Sequence, residues 1–173
     1  MNEVFKYTEG KIKWNFSKIP GFLLKAVEQM LIYVRLFADT EAMVQIIYDR
    51  KYKGYYVYIP EQQAAKTSVS VKKDSQVPSG SYHVMDIYLR SKENYFANES
   101  FGMEERGCNG IVGVFCIEES LETTGRQFIF ASDENNTVIT ESDFLEEDEF
   151  SYCDVDEIAL DMYEKWSEVV VFK

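Results

Sequence analysis

The chain has 173 residues, nearly half of them apolar, with 12 Tyr and 12 Phe, which excludes general disorder and leaves room for one domain, residues 1–173, around one substantial core. Its net charge is −12 and it has no run of about 18 or more apolar residues, so no membrane-spanning helix and no grip on nucleic acid or an anionic membrane is expected. The N-terminus MNEVFKYTEGKIKW lacks the apolar region of a signal peptide, and Cys108, Cys116 and Cys153 are odd in number without metal-knuckle spacing, a pattern of reduced thiols in the cytoplasm.

In chain order, Ile19-Pro20-Gly21 opens a segment with Leu23, Leu24, Val27, Met30, Leu31, Val34 and Phe37 at steps of three and four. That spacing predicts a helix over 21–38, with Pro20 suited to its entry. AMVQIIY (42–48), a turn over 49–54 and YYVYIP (55–60) read as a β-hairpin. TSVSVKK (67–73) alternates with period two and reads as a half-exposed strand, and SQVPSGS as a turn. YHVMDIYLR, GIVGVFCIE and RQFIFAS are three further strands. VDEIALDMYEKW puts Val155, Ile158, Leu160, Met162, Tyr163 and Trp166 mostly on one helical face, with Asp154 as N-cap and Glu157 three residues on. VVVFK closes as a last strand. The expected class is α+β: a mixed, largely antiparallel sheet flanked by an N-terminal helix and an acidic C-terminal helix.

The charge is uneven. Residues 1–132 carry 16 acidic and 16 basic side chains, whereas residues 133–173 carry 14 acidic and 2 basic, the whole of the −12. The acids alternate with Phe144, Leu145, Phe150, Tyr152, Ile158, Leu160, Tyr163 and Trp166. A disordered acidic tail has few such residues, so this segment is expected to pack on the rest with its acids outward. Charge runs are usually solvated faces. The functional reading is a docking face for a protein with a basic surface, through Glu146, Glu147, Asp148, Glu149, Asp154, Asp156 and Glu157.

The order of these elements, with certain residues, resembles the JAMM/MPN (Mov34/JAB) metalloprotease family, above all its small bacterial and phage-type members. KIPGFLLKAVEQM resembles the family's first helix, and TEAMVQIIYD the strand that begins with its catalytic glutamate. GYYVYIPEQQAAKTSVSV resembles the next strands and VMDIYLR the strand that usually reads D-I-H-S-H. MEERGCNGIVGVF resembles the acidic turn and following strand. The resemblance spans residues 17–132 and implies an MPN-like fold.

It also implies where chemistry would sit. The family holds zinc with two His and one Asp in H-x-H-x7-S-x-x-D. The metal brings a bound water's pKa to about 7 and a Glu takes its proton. Laid on this chain without a gap, the first His position is Tyr88, the second Arg90, the Ser position Asn98 and the Asp position Phe101. Glu41 stands at the position of the general base. Tyr, Arg and Phe do not replace His, His and Asp as zinc ligands, and an arginine repels a cation. The resemblance therefore implies a pseudoenzyme without metal or other cofactor, in which Arg90 reaches Glu41 and substitutes its own charge for the metal's.

Other candidates have ordinary readings. His83, the only His, lacks an obvious triad and reads as a surface or satisfied strand residue. Cys108 lies in the loop after the 82–90 strand but has no evident base. Tyr48, Tyr55, Tyr56, Tyr58, Tyr82, Tyr88 and Tyr95, with bases at 50–53 and 72–73, read as hairpin tips with solvated lysines; exposed tyrosines also anchor protein partners. Three functions follow as expectations. The first is a non-catalytic binding protein, in one form an acidic inhibitor from a phage or mobile element that blocks a nucleic-acid-binding effector, as anti-CRISPR proteins do. The second is a structural or dimerisation subunit of an active JAMM protein. The third is a hydrolase with altered, metal-independent chemistry.

Overall fold

Helix α1 (Gly21–Phe37) forms where the apolar spacing predicts it, and Leu24, Ala26, Val27, Met30, Leu31 and Val34 are buried along one face. The computed structural model describes residues 4–8, 11–71, 77–91, 112–117, 126–132, 138–139, 143–145 and 152–173. Pro20 precedes α1 without a side-chain cap. An N-terminal N–H left over by the helix is instead taken up by backbone, Gly21 N–H donating to the Leu145 carbonyl at 2.8 Å, while Leu145 N–H donates to Ile19 O at 2.8 Å. A Cβ on Gly21 would sit 2.9 Å from that carbonyl, so the close approach requires glycine. Phe144 is buried beside this junction against Phe16, ring centres 6.0 Å apart.

Strands β1 (Phe5–Thr8) and β2 (Lys11–Trp14) form an N-terminal hairpin. After α1 come β3 (Ala42–Asp49), β4 (Gly54–Tyr58), β5 (Gln62–Ala65), β6 (Ser68–Val71) and β7 (Ser81–Arg90). Then follow β8 (Val112–Ile117), β9 (Arg126–Ser132), β10 (Val138–Ile139), helix α2 (Tyr152–Val169) and β11 (Val170–Phe172). The main sheet has the order β10-β9-β8-β7-β3-β4. Only β7 and β8 run parallel in it, joined by the long connection that a parallel pair demands. A second sheet has the order β11-β5-β6, with β11 parallel to β5. The class is thus α+β, largely antiparallel, with a helix before and a helix after the main sheet.

Strand β3 is buried on both faces, which is why its sequence reads as a continuous apolar run. Ala42, Val44, Ile46 and Tyr48 join α1 in the core, together with Met85, Ile87 and Leu89 of β7. Met43, Gln45 and Ile47 point the other way and are also buried. At the β3–β4 turn, Asp49 accepts from the N–H groups of Lys51 and Tyr52, both at 2.8 Å, as the turn chemistry predicts.

Strand β5 and the β1–β2 hairpin are among the regular pieces with no counterpart in the sequence reading. The QQAA of β5 carries no β-branched or aromatic residue, so its propensity is poor. Its place is held by Gln62, whose amide uses every hydrogen-bonding group it has. Oε1 accepts from Met43 N–H at 2.9 Å and from Trp166 Nε1–H at 3.0 Å; Nε2 donates to Met43 O at 2.8 Å and Pro60 O at 2.9 Å. A side-chain amide thereby extends the β3 ladder beyond the end of β4 and ties both to α2. The β1–β2 hairpin is the other piece. Phe5 and Trp14 pack edge-on against Tyr48, Tyr55 and Tyr82 in a cluster with centroid separations near 5–6 Å. These three tyrosines, expected as hairpin-tip or anchoring residues, are interior or half-buried instead, and burial pushes the Tyr55 hydroxyl pKa upward. Tyr56 remains half exposed; Tyr95 lies outside the described residues.

Helix α2 contributes Ala159, Met162 and Trp166 to the same core cluster as α1. It begins at Tyr152, three residues before the Val155 start that an Asp154 N-cap implies, so Asp154 lies in its first turn, where an acid still favours the helix dipole. No helix among the described residues is long and apolar enough to cross a membrane.

Two substitutions test these junctions. Gln62→Leu strands the polar groups of Met43 and Trp166 in the interior and should destabilise the fold by about 3 kcal/mol or more. Gly21→Ala should cost about 1–3 kcal/mol, because the obstructing atom is backbone and cannot swing away. Urea midpoints at unchanged slope measure both.

Candidate functional site

The ends of β3 and β7 meet where Ala42 pairs with Leu89, which brings residue 41 opposite residue 90. Glu41 is 1% exposed. Arg90 Nη1 donates to its Oε1 at 3.1 Å, and the Ser91 backbone N–H donates to its Oε2 at 2.8 Å. The Arg90 guanidinium also lies over the Tyr88 ring, 4.5 Å from its centre, two residues back on the same strand face. The contact expected between Glu41 and Arg90 is therefore present, with side-chain exposures of 1% and 11%. Glu41 N–H meanwhile donates to Ala65 O at 2.9 Å, so the same residue holds β5 of the second sheet.

Both oxygens of Glu41 accept hydrogen bonds from the protein itself, whereas a general base must aim a lone pair at a substrate proton or water. Among the described residues at this strand end, the donor set does not fit zinc. Such sites draw on Cys, His, Asp or Glu, and the guanidinium of Arg90 has no lone pair to give and a permanent positive charge facing the carboxylate. Asn98, Phe101 and Cys108 lie outside the described residues.

A second polar cluster stands further along β7. His83 Nε2 and Asp86 Oδ1 are 2.6 Å apart, and Gln45 Nε2 donates to the same oxygen at 3.0 Å. Asp86 is 5% exposed. In a regular strand, positions three apart face opposite sides, so the sequence shows no partner for His83. The structure supplies one through a bulge. Ile46 pairs with Met85 and Ile47 with His83, which leaves Val84 as an extra residue and shifts the alternation by one. His83 is thus a satisfied strand residue, and Asp86 is its partner.

The predicted acidic binding residues divide. Glu146, Glu147, Asp148 and Glu149 lie outside the described residues. Asp154 and Glu157 are exposed on α2. Asp156 is half-buried and accepts a hydrogen bond from the Tyr33 hydroxyl, which raises the pKa of that tyrosine. It fastens α2 to α1 and is not a free contact residue. Sequence reasoning passed over Asp161, Glu164 and Glu168, although their spacing from Asp154 and Glu157, in steps of three and four, places all five on one helical face.

Comparison with protein-family models, curated proteins and solved structures returned no match.

A double-mutant cycle checks the buried pair. Glu41→Gln and Arg90→Met should each cost about 3–5 kcal/mol, since each leaves the other charge or its donors without compensation. The double variant should cost well under the sum, with a coupling of about 1–3 kcal/mol. Strict additivity in thermal or urea unfolding would show that the two side chains act independently.

Proposed function

We propose that the protein is a non-catalytic binding domain with a JAMM-like frame, which works by contacting a protein with a basic surface. The observation that carries the reading is the Arg90–Glu41 pair: at the strand end where the resemblance puts a metal and a general base, a guanidinium engages the carboxylate at 3.1 Å. The acids exposed on α2 support the second half of the reading, because an acidic surface repels nucleic acid and anionic lipid and attracts bases. In its sharper form the partner is a cytoplasmic nucleic-acid-binding effector whose phosphate groove is occupied by these acids, and the protein is an inhibitor of phage or mobile-element type.

The test of the non-catalytic half uses the purified full chain dialysed against zinc. Metal analysis should find zinc well below one per chain, and isopeptide-linked and peptide substrates should survive prolonged incubation. Stoichiometric zinc together with cleavage that disappears in Glu41→Gln would overturn the proposal.

A further inference from the structure

Helix α2 is divided lengthwise. Ala159, Met162 and Trp166 are buried against α1 and the sheets, whereas Asp154, Glu157, Asp161, Glu164 and Glu168 are all exposed. At ~100° per residue these five acids fall within a strip ~80° wide and about 20 Å long. The only base on the helix, Lys165, sits on one flank of the strip and spends itself on Asp161 at 3.6 Å, with both side chains two-thirds exposed.

The other flank is apolar. Leu160 is 40% exposed there, one helical turn from Tyr163. Across it, at the end of α1, Phe37 is 64% and Leu36 45% exposed. Phe37 is held in place, not loose. Its ring stacks on Tyr33 at 5.7 Å and 7°, and tilts against Tyr163 at 5.5 Å. The hydrogen bond from Tyr33 to Asp156 fixes the platform beneath. Arg35, in the last turn of α1, and Lys66 are both engaged with Asp39. A fixed, largely exposed aromatic ring beside a strip of five exposed acids is the anatomy of a contact surface: an apolar anchor with a charged rim.

We propose that this side of α1 and α2 docks a basic amphipathic helix of a partner protein, its apolar face on Phe37, Leu36 and Leu160 and its lysines or arginines along the acidic strip. The charge decides among occupants. A second copy would set acid against acid, and nucleic acid or an anionic membrane would be repelled. The inference rests on the reading of the protein as an acidic contact domain, and it assigns the contact to α1 and α2 instead of to residues 146–149.

The experiment titrates full-length protein with a fluorescent Leu/Lys peptide of helical periodicity, beside an oligolysine of equal charge. Three variants are compared: Phe37→Ser/Leu160→Ser, Asp161→Lys/Glu164→Lys, and Glu146→Gln/Glu147→Gln/Asp148→Asn/Glu149→Gln. All the substituted described side chains are exposed, and circular dichroism confirms folding. The amphipathic peptide should bind in a salt-dependent manner and more tightly than oligolysine. Each of the first two variants should bind it at least about tenfold more weakly, as expected for loss of an anchor or of its rim. The third should bind as wild type. Unchanged binding by Phe37→Ser/Leu160→Ser, or equal binding of oligolysine, overturns the proposal. Loss confined to the third variant also overturns it, while the broader contact reading stands. Absence of any binding at low salt sinks both. A wild-type dimer in light scattering that Phe37→Ser/Leu160→Ser dissociates would give this face to a second copy and refute the proposed occupant.

Discussion

The buried contact between Glu41 and Arg90 is the constraint around which the rest is arranged. A carboxylate that is 1% exposed cannot remain without compensation, and here it receives a guanidinium and a backbone N–H from the end of β7. Its own backbone N–H binds β5. One residue, at the entry to β3, therefore joins that strand to its neighbour in the main sheet and to the second sheet. A pair of this kind is costly to break and modest in net stabilisation, so its weight lies in specificity: it fixes which strand ends meet and in what register. Where the resemblance implies a metal's charge, the chain provides an arginine's.

Gln62 repeats the same logic with a neutral group. Its amide satisfies Met43 of β3, Pro60 and the Trp166 indole at once. Through it the late helix is locked to the middle of the fold. Five of the six acids of α2 stay outside and Trp166 inside, so the charge of those five does not oppose folding by burial. It becomes a surface property, available for association. The exposed Phe37, set on Tyr33 and Tyr163, gives that surface an apolar centre.

Much of this was legible in the sequence, and the exceptions have physical causes. Helix α1 announces itself because its burial follows a period of 3.6, and strands β3, β4 and β7 because they are short runs rich in apolar, β-branched and aromatic residues. The expectation that Arg90 reaches Glu41 came from a resemblance and not from periodicity, since the residues are far apart in the chain and share no local pattern. Strand β5 was hidden because its order comes from Gln62 and from its neighbours, not from propensity. The bond between His83 and Asp86 depends on a bulge, which breaks the alternation that a strand reading assumes. Phe37 sits at a core-like step of α1, yet the helix ends there and leaves the ring largely exposed. Residues 146–149, Asn98 and Phe101 lie outside the described residues, and the reading of them rests on sequence.

The central claim is that Glu41 closes the end of β7 by holding Arg90 and the Ser91 amide. Amide hydrogen exchange followed by NMR reports on this one proton. The account predicts that the Ser91 amide exchanges as slowly as its neighbours in the β3–β7 ladder, and that Glu41→Ala releases it selectively while the ladder stays protected. A Ser91 amide that exchanges at the rate of a free peptide in the unmodified protein, beside a protected ladder, would contradict the account.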